Sequence, residues 1–109
     1  MPELATKVVE WGDIRIAIHE ATALDEARRM RLQGDVFAET DEDRRAARWM
    51  YADLLAAADS RMTFEEWLLL PGAFVSAWRD VVMEVNPHWF GLQSPAEEKK
   101  HLTLSTTVS

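Results

Sequence analysis

The sequence predicts a mainly helical α+β fold, in which a small N-terminal β-hairpin packs on a bundle of about four helices and a flexible C-terminal tail follows. Apolar residues alternate with polar ones around Gly12-Asp13, which is typical of paired strands. Further along, threonine is followed three residues later by an acid before several segments, as at helix N-termini. Hydrophobic residues make up 48% of the 109 residues, enough for one modest core. We therefore expect a single globular domain over residues 1–92 and a mobile tail over residues 93–109.

The hairpin is predicted at about Lys7 to Ile18. Gly12-Asp13 suits a two-residue turn with glycine at positive φ. Isoleucine then occupies every second position: Ile14, Ile16 and Ile18. Because a lone hairpin is only marginally stable in water, these isoleucines should pack against helices, and we assign Ile16 to the core.

A first helix is predicted after Thr22, which has Asp25 at the spacing of a helix cap, and Gly34 is its natural end. Acids lie near its start and arginines near its end, in agreement with the helix dipole. Its few apolar residues are Leu24, Ala27, Met30 and Leu32. In the connector that follows, Val36 and Phe37 are the predicted buried contacts.

A second helix is predicted from Asp41 to about Ala58, with Thr40 as its cap and Asp43 three residues later. Small and apolar residues share one side of this helix: Ala46, Ala47, Met50, Leu54, Ala57 and Ala58. That pattern is typical of a helix that packs closely on its neighbours. We assign Leu54 to the core.

The stretch from Thr63 to Gly91 has the clearest helix boundaries in the chain. Thr63 and Glu66 have the spacing of a capping box, and Pro71 suits the start of a further helix. Asn86-Pro87 should end that helix, because the residue before a proline is pushed out of the helical region. Its apolar stripe includes two residues that we assign to the core, Trp78 and Val82, together with Phe74, Val81 and Val85.

The charge and composition of the chain narrow its expected partners and location. A net charge of −7 argues against binding to nucleic acid or to an anionic membrane surface. No apolar run approaches the roughly 18 residues of a membrane span, and the N-terminus has no signal-peptide pattern. The absence of cysteine suits a reducing compartment. We expect a cytoplasmic protein.

Two arginine clusters stand out in this acidic chain: Arg28, Arg29 and Arg31, then Arg44, Arg45 and Arg48. On one interpretation they pair with acids of their own and nearby segments, as on ordinary solvated helix faces. On the other, the two helices are antiparallel neighbours and the clusters meet in an anion-binding patch.

The sequence contains no recognisable catalytic or metal-binding pattern. His19-Glu20 lacks the second histidine of a zinc-protease helix, and His88 and His101 are isolated from other ligand types. The serines have no nucleophile setting, and no glycine-rich phosphate loop is present. We therefore expect no enzyme activity, no cofactor and no metal.

Aromatic residues near the end of the stretch from Thr63 to Gly91 are candidates for protein binding. Trp89 and Phe90 follow the helix break, where they either fasten the chain to the core or present a surface to a partner. The candidate protein-binding residues are Trp67, Leu70, Phe74, Asn86, Pro87, Trp89 and Phe90. We predict that amphipathic helices of a partner bind in an apolar groove bordered by the helices at 41–58 and 72–85.

The order of these motifs resembles the small tail assembly chaperones of long-tailed (siphovirus-type) bacteriophages. The resemblance rests on Trp67, Leu70-Pro71, Trp78 and Asn86-Pro87-His88-Trp89, within a stretch from about Phe64 to Phe90. It implies a non-enzymatic helper that binds the tape measure protein, keeps it soluble and assists the tail tube protein in polymerising around it. It also implies that the helper is absent from the finished virion.

The sequence is also compatible with other functions. A small helical adaptor or regulator would bind a host or phage protein through the same groove, without a tail-related partner. A DNA-binding protein that uses the arginine clusters would require salt-sensitive DNA binding. A homo-oligomer is also compatible with the sequence, through the alanine-rich side of the second helix or through the hairpin edge.

Overall fold

The chain folds into a two-stranded β-hairpin followed by four α-helices, in a computed structural model that describes residues 4–91. The strands and helices are β1 (Thr6–Trp11), β2 (Ile14–His19), α1 (Ala23–Gly34), α2 (Glu42–Leu55), α3 (Phe64–Leu68) and α4 (Gly72–Val85). Two 3₁₀ helices, Asp35–Ala38 and Pro87–Phe90, follow α1 and α4. The predicted fold class is confirmed. The tail predicted at 93–109 lies outside the described residues.

The hairpin forms at the predicted position. β1 and β2 pair antiparallel, from Trp11 opposite Ile14 at the turn to Thr6 opposite His19 at the far end. Gly12 has a φ of +57°, a left-handed conformation that favours glycine. One face of β2 is buried, with Ile16 and Ile18 directed into the core.

The outer edge of β2 is covered by the segment after α2, which corrects the predicted length of that helix. α2 ends at Leu55 rather than at about Ala58. Beyond it, the His19 amide donates to the Ala57 carbonyl at 3.0 Å, and the Asp59 amide donates to the Ala17 carbonyl at 2.8 Å. Residues after Leu55 therefore form backbone hydrogen bonds with β2 and do not continue the helix.

Two of the three predicted helix caps are as expected, and one is shifted by a residue. Thr22 and Thr63 each form a complete capping box at the start of α1 and α3. α2 is capped by Asp41 and not by Thr40, because the Asp41 carboxylate accepts from the Arg44 amide at 2.8 Å.

The apolar residues of α1 do not mark the side of the helix that packs on the molecule. Leu24 and Met30, two of its few apolar residues, are 70% and 72% exposed, whereas Asp25 is buried. In the 3₁₀ helix that follows, Val36 is buried as predicted, but Phe37 is 83% exposed and its predicted burial is wrong. The helix is held to its neighbours mainly by polar contacts, which the count of apolar residues does not detect.

The core lies where the hairpin, α2, α3 and α4 meet. The four residues assigned to it from the sequence are all buried: Ile16, Leu54, Trp78 and Val82. The Phe74 ring lies 5.9 Å from that of Trp78 and 6.1 Å from that of Trp11. Aromatic contacts thus join α4 to the turn end of the hairpin.

Candidate protein-binding groove

An apolar groove of about 340 Å³ lies between α2, α3 and α4. The residues that line it are Met50, Trp67, Leu68, Leu70, Gly72, Val75, Ser76 and Arg79. It lies between the two helices that were predicted to border a groove, and α3 supplies a third wall. A surface of this kind, mostly apolar with one charge, suits the apolar face of a partner helix better than a polar small molecule.

The corner between α3 and α4 shapes this groove. The Thr63 capping box starts α3, and the helix ends after a single turn, with the Leu70 amide donating to the Trp67 carbonyl at 3.1 Å. Pro71 then caps α4, and its carbonyl accepts from the amides of Phe74 and Val75. Because proline has no amide to donate, this corner is a stable break between the two helices.

Trp67 forms a rigid floor for the groove. Its indole stacks on Phe64 with the ring centroids 6.1 Å apart, and its edge meets the Tyr51 ring at 5.5 Å. Tyr51 is itself fixed, since its hydroxyl donates to the Met62 carbonyl at 2.6 Å. The residue is only 4% exposed, so its ring supports the groove from beneath and keeps the groove preformed, which reduces the entropy lost on binding.

Exposed apolar side chains continue from the groove along α2. Met50 is partly exposed at the groove, and the neighbouring Trp49 is exposed as well. The Trp49 ring meets the ring of Phe37 edge to face, with centroids 6.2 Å apart. Large exposed apolar areas on a small domain are typical of interaction surfaces.

Phe90 lies at the α4 side of the groove. The guanidinium carbon of Arg79, which lines the groove, lies 5.4 Å from the centre of the Phe90 ring. This spacing is that of a cation–π contact. Of the residues singled out from the sequence, Trp67, Leu70 and Phe90 are therefore placed in or beside one surface.

Trp89 is fastened to α1 and is only 8% exposed. Its indole nitrogen donates to Glu26 at 2.7 Å, and the Arg29 guanidinium carbon lies 4.8 Å from the ring centre. Arg29 also donates to the Trp89 carbonyl at 3.1 Å. In the structure Trp89 therefore holds α1 and Pro87–Phe90 together. Of the two interpretations given from the sequence, this is the one in which the side chain fastens the chain to the rest of the protein.

Asn86 and Phe74 are also internal contacts. The Asn86 side chain is buried and bridges back to the end of β2, accepting from the Ala21 amide at 2.8 Å and donating to the His19 carbonyl at 3.0 Å. Phe74 packs within the core, away from the groove lining. Pro87 begins the 3₁₀ helix and sets the direction in which Trp89 and Phe90 leave α4.

Glu26 is the centre of the contact between α1 and Pro87–Phe90. Its carboxylate also meets the His88 Nε2 atom at 2.8 Å. Partial burial by itself would raise the pKa of Glu26, but hydrogen bonds from His88 and Trp89 outweigh it and lower the pKa below its usual value. The charged form of Glu26 is thus the one that stabilises this contact.

The sequence did not single out Met50, Val75 and Arg79 as groove residues. Met50 had been placed on the packed side of α2, and Val75 and Arg79 lie beside the α4 stripe rather than on it. These residues are hard to recognise in the sequence because a groove is lined by the edges of the apolar faces of several helices. At such edges apolar and polar residues mix, so the helical repeat of apolar residues is least clear.

Residues 4–91 contain no cluster of three or more His, Cys, Asp or Glu side chains placed to hold a metal ion. Nor does that part of the chain include a helix with the length and apolar character needed to cross a membrane. Comparisons with protein-family models, with curated proteins and with solved structures find no match. The resemblance to tail assembly chaperones therefore stays a prediction.

Proposed function

We propose that this chain is a non-catalytic assembly chaperone that binds an amphipathic helical segment of a partner in the groove between α2, α3 and α4. The observation that carries the proposal is the groove itself, which is apolar, open to solvent and floored by the rigid Trp67. By resemblance, the partner is a phage tape measure protein, and the process is polymerisation of the tail tube protein around it. The chaperone would act in the host cytoplasm and be absent from the virion.

The groove offers partly exposed apolar contacts from α2, from the corner between α3 and α4, and from α4: Met50, Leu70 and Val75. Helix-in-groove binding uses apolar side chains spaced three or four residues apart on the partner helix. Arg79 would favour an acidic residue next to those apolar side chains. The net charge of −7 would help to keep a chaperone–client complex in solution.

The candidate residues would then divide between two roles. Leu70 and Phe90 would contact the client directly, and Trp67, which is only 4% exposed, would support the groove from beneath. Asn86, Pro87 and Trp89 would act indirectly, by fixing the position of Phe90 relative to Arg79.

Two surfaces were candidates for self-association of the chain, the alanine-rich side of the second helix and the edge of the hairpin. On the alanine-rich side predicted for the second helix, Ala52 and Ala56–Ala58 are buried and Ala46 is exposed, so most of that side is not a free surface. Within residues 4–91, β1 pairs with β2 alone, and its other edge is the better candidate for contact between copies.

The matched pair Leu70→Glu and Leu69→Glu tests the groove. Leu70 lines it, whereas the neighbouring Leu69 is 86% exposed and does not. We expect Leu70→Glu to weaken capture of co-expressed tape measure protein roughly tenfold or more, because a charge placed in an apolar contact is poorly solvated. Leu69→Glu should leave capture unchanged.

Met50→Glu serves as a second groove variant, since Met50 is already partly exposed and its replacement should be tolerated by the fold. Thermal melts of all variants separate lost binding from lost folding. Equal capture by the wild type, Leu70→Glu and Met50→Glu would rule out the groove. Failure of the wild type to bind the tape measure protein would rule out the chaperone assignment and favour an adaptor with another partner.

A further inference from the structure

Most of the clustered arginines are neutralised within the chain. Arg44 and Arg48 both reach the Glu39 carboxylate, at 3.2 and 2.9 Å, and Arg44 also pairs with Glu65. Arg29 meets Asp53 at 2.8 Å. For Arg29, Arg44 and Arg48 the structure therefore supports the pairing interpretation, whereas Arg45 donates to the Glu39 backbone carbonyl instead of a carboxylate.

Arg31 and Arg61 are different. Within residues 4–91, neither side chain has an ion pair, a hydrogen bond or an aromatic contact, in contrast to Arg28, Arg29 and Arg44. Both are exposed, one on α1 and the other in the segment between α2 and α3. Their positive charges are thus not neutralised by a carboxylate in this part of a chain that has 19 acidic residues.

Both arginines line the same pocket, which has a volume of about 400 Å³. Arg28 lines it as well, so three guanidinium groups surround the space, and Asp59 is the one acidic side chain among the described residues at its wall. The rest of the wall includes apolar side chains, among them Leu32, Leu55 and Met62. The pocket thus combines excess positive charge with an apolar surface, within an otherwise acidic protein.

The wall of the pocket is held in place by internal hydrogen bonds. Arg28 donates to the Ala56 carbonyl at 3.3 Å, and the Tyr51 hydroxyl donates to the Met62 carbonyl at 2.6 Å. The Met62 amide donates to the Ser60 hydroxyl oxygen at 3.2 Å, which leaves the hydroxyl hydrogen of Ser60 available to another acceptor. The Ser60 hydroxyl thus lies on a fixed wall, and beside it are two guanidinium groups that have no ion-pair partner within residues 4–91 and can turn their donors towards an anion.

We infer that this pocket binds an organic anion, with a phosphate or carboxylate group held by Arg31 and Arg61 and a small apolar body resting on the half-buried Leu32 and Met62. The volume is within the range of small-molecule sites, about 300 to 1,000 Å³. Arginine is suited to this role because its planar donors match the oxygens of phosphate and carboxylate in pairs. The site lies apart from the groove between α2, α3 and α4, with no lining residue in common. The inference is therefore independent of the proposed function.

The test is titration of the full chain with phenyl phosphate, phenylacetate and inorganic phosphate, followed by calorimetry and by amide chemical shifts. We expect phenyl phosphate to shift amides at Ser60 and Arg61, and to bind roughly tenfold or more tightly than inorganic phosphate, because only the former uses the apolar wall. Comparison of phenyl phosphate with phenylacetate identifies which oxyanion the arginines prefer. Binding should weaken as salt is raised.

Arg31→Gln and Arg61→Gln should each reduce the affinity for phenyl phosphate roughly tenfold or more, since hydrogen bonds to charged groups are among the strongest in proteins. Neither side chain has a partner among the described residues, so the variants should fold normally. Arg15→Gln is the control, because it removes the same charge from the exposed hairpin, where Arg15 pairs with Glu10.

Three results would overturn the inference. The first is the absence of any chemical-shift change at millimolar phenyl phosphate. The second is equal loss of affinity in Arg15→Gln, which would indicate a non-specific charge effect. The third is equal affinity for inorganic and phenyl phosphate, which would mean that the apolar wall has no part in binding.

Discussion

At the scale of single residues, Asp25 attaches α1 to the end of β2. Its side chain is 4% exposed, and its carboxylate accepts from the Thr22 amide at 2.9 Å and meets His19 Nε2 at 2.8 Å. One carboxylate therefore caps the helix and ties it to the end of β2. Burial alone would raise the pKa of Asp25, but the hydrogen bonds from Thr22 and His19 outweigh it and the pKa is lowered.

The lowered pKa of Asp25 predicts a loss of stability in acid. A carboxylate with a folded pKa below its unfolded value of about 3.9 stabilises the fold above that value, and this contribution is lost as the pH falls through the folded pKa. Asp25→Asn removes the titrating group, so its free energy of unfolding should fall less steeply than that of the wild type below about pH 4. Urea unfolding over a series of pH values measures this, and parallel curves for the two proteins would contradict it.

Trp89 provides a second prediction at this scale, from a graded pair of substitutions. Trp89→Phe keeps a ring near Arg29 but loses the hydrogen bond to Glu26, and should cost about 1–3 kcal/mol of stability, as expected for a bond to a charged group. Trp89→Ala also loses the buried ring and should cost about 3–5 kcal/mol. Chemical denaturation gives both values.

The same two variants separate the internal role of Trp89 from a direct role in binding. If Trp89→Phe retains full stability but fails to bind the tape measure protein, Trp89 contacts the client rather than α1. Reduced stability with normal client capture by the folded variant would support the internal role.

At the scale of elements, the start of α2 tests which residue caps the helix. Asp41→Ala should destabilise the protein by about 1 kcal/mol, because the Arg44 amide loses its acceptor. Thr40→Ala should change stability by less than about 0.5 kcal/mol, as for an ordinary surface substitution. Thermal unfolding of the two neighbouring variants makes this comparison, and a larger effect at Thr40 would place the cap where the sequence pattern suggested.

α4 and α1 show why one helix was predictable in detail and the other was not. The stripe on α4 repeats at helical spacing, and its residues Phe74, Trp78 and Val82 are buried together. α1 has few apolar residues, and its packed side is marked instead by Asp25, which meets His19 at the end of β2, and by Arg29, whose partners Asp53 and Trp89 are distant in the sequence. Periodicity detects burial by hydrophobicity and is uninformative for a helix attached through ion pairs and hydrogen bonds.

At the scale of the whole molecule, this difference predicts uneven local stability. β2 and α4 share the apolar core, whereas Asp25 is the one fully buried residue of α1. Amide protons of α1 should exchange with opening free energies about 1 kcal/mol or more below those of α4, because polar contacts with nearby water are easily replaced. Native-state hydrogen exchange measures this order. Equal protection in both helices would show that α1 belongs to the same cooperative unit as the core.

The sequence alone determined the features that depend on short-range physics. The Gly12 turn, the capping boxes at Thr22 and Thr63, the break at Pro71 and the α4 stripe each involve residues within a few positions of one another. Such signals are local because a turn or cap is satisfied by its own neighbours. They were enough to predict the hairpin, the helices and four residues of the core.

Only the tertiary structure decided which side of α1 packs inward, where α2 ends and what Trp89 contacts. Each depends on pairs far apart in the chain: Asp59 with Ala17, Glu26 with Trp89, and Asn86 with His19. A tryptophan on a turn has the same local sequence whether it meets a partner or its own chain. Its contacts are set by a carboxylate and an arginine on another helix, which only the folded chain brings together.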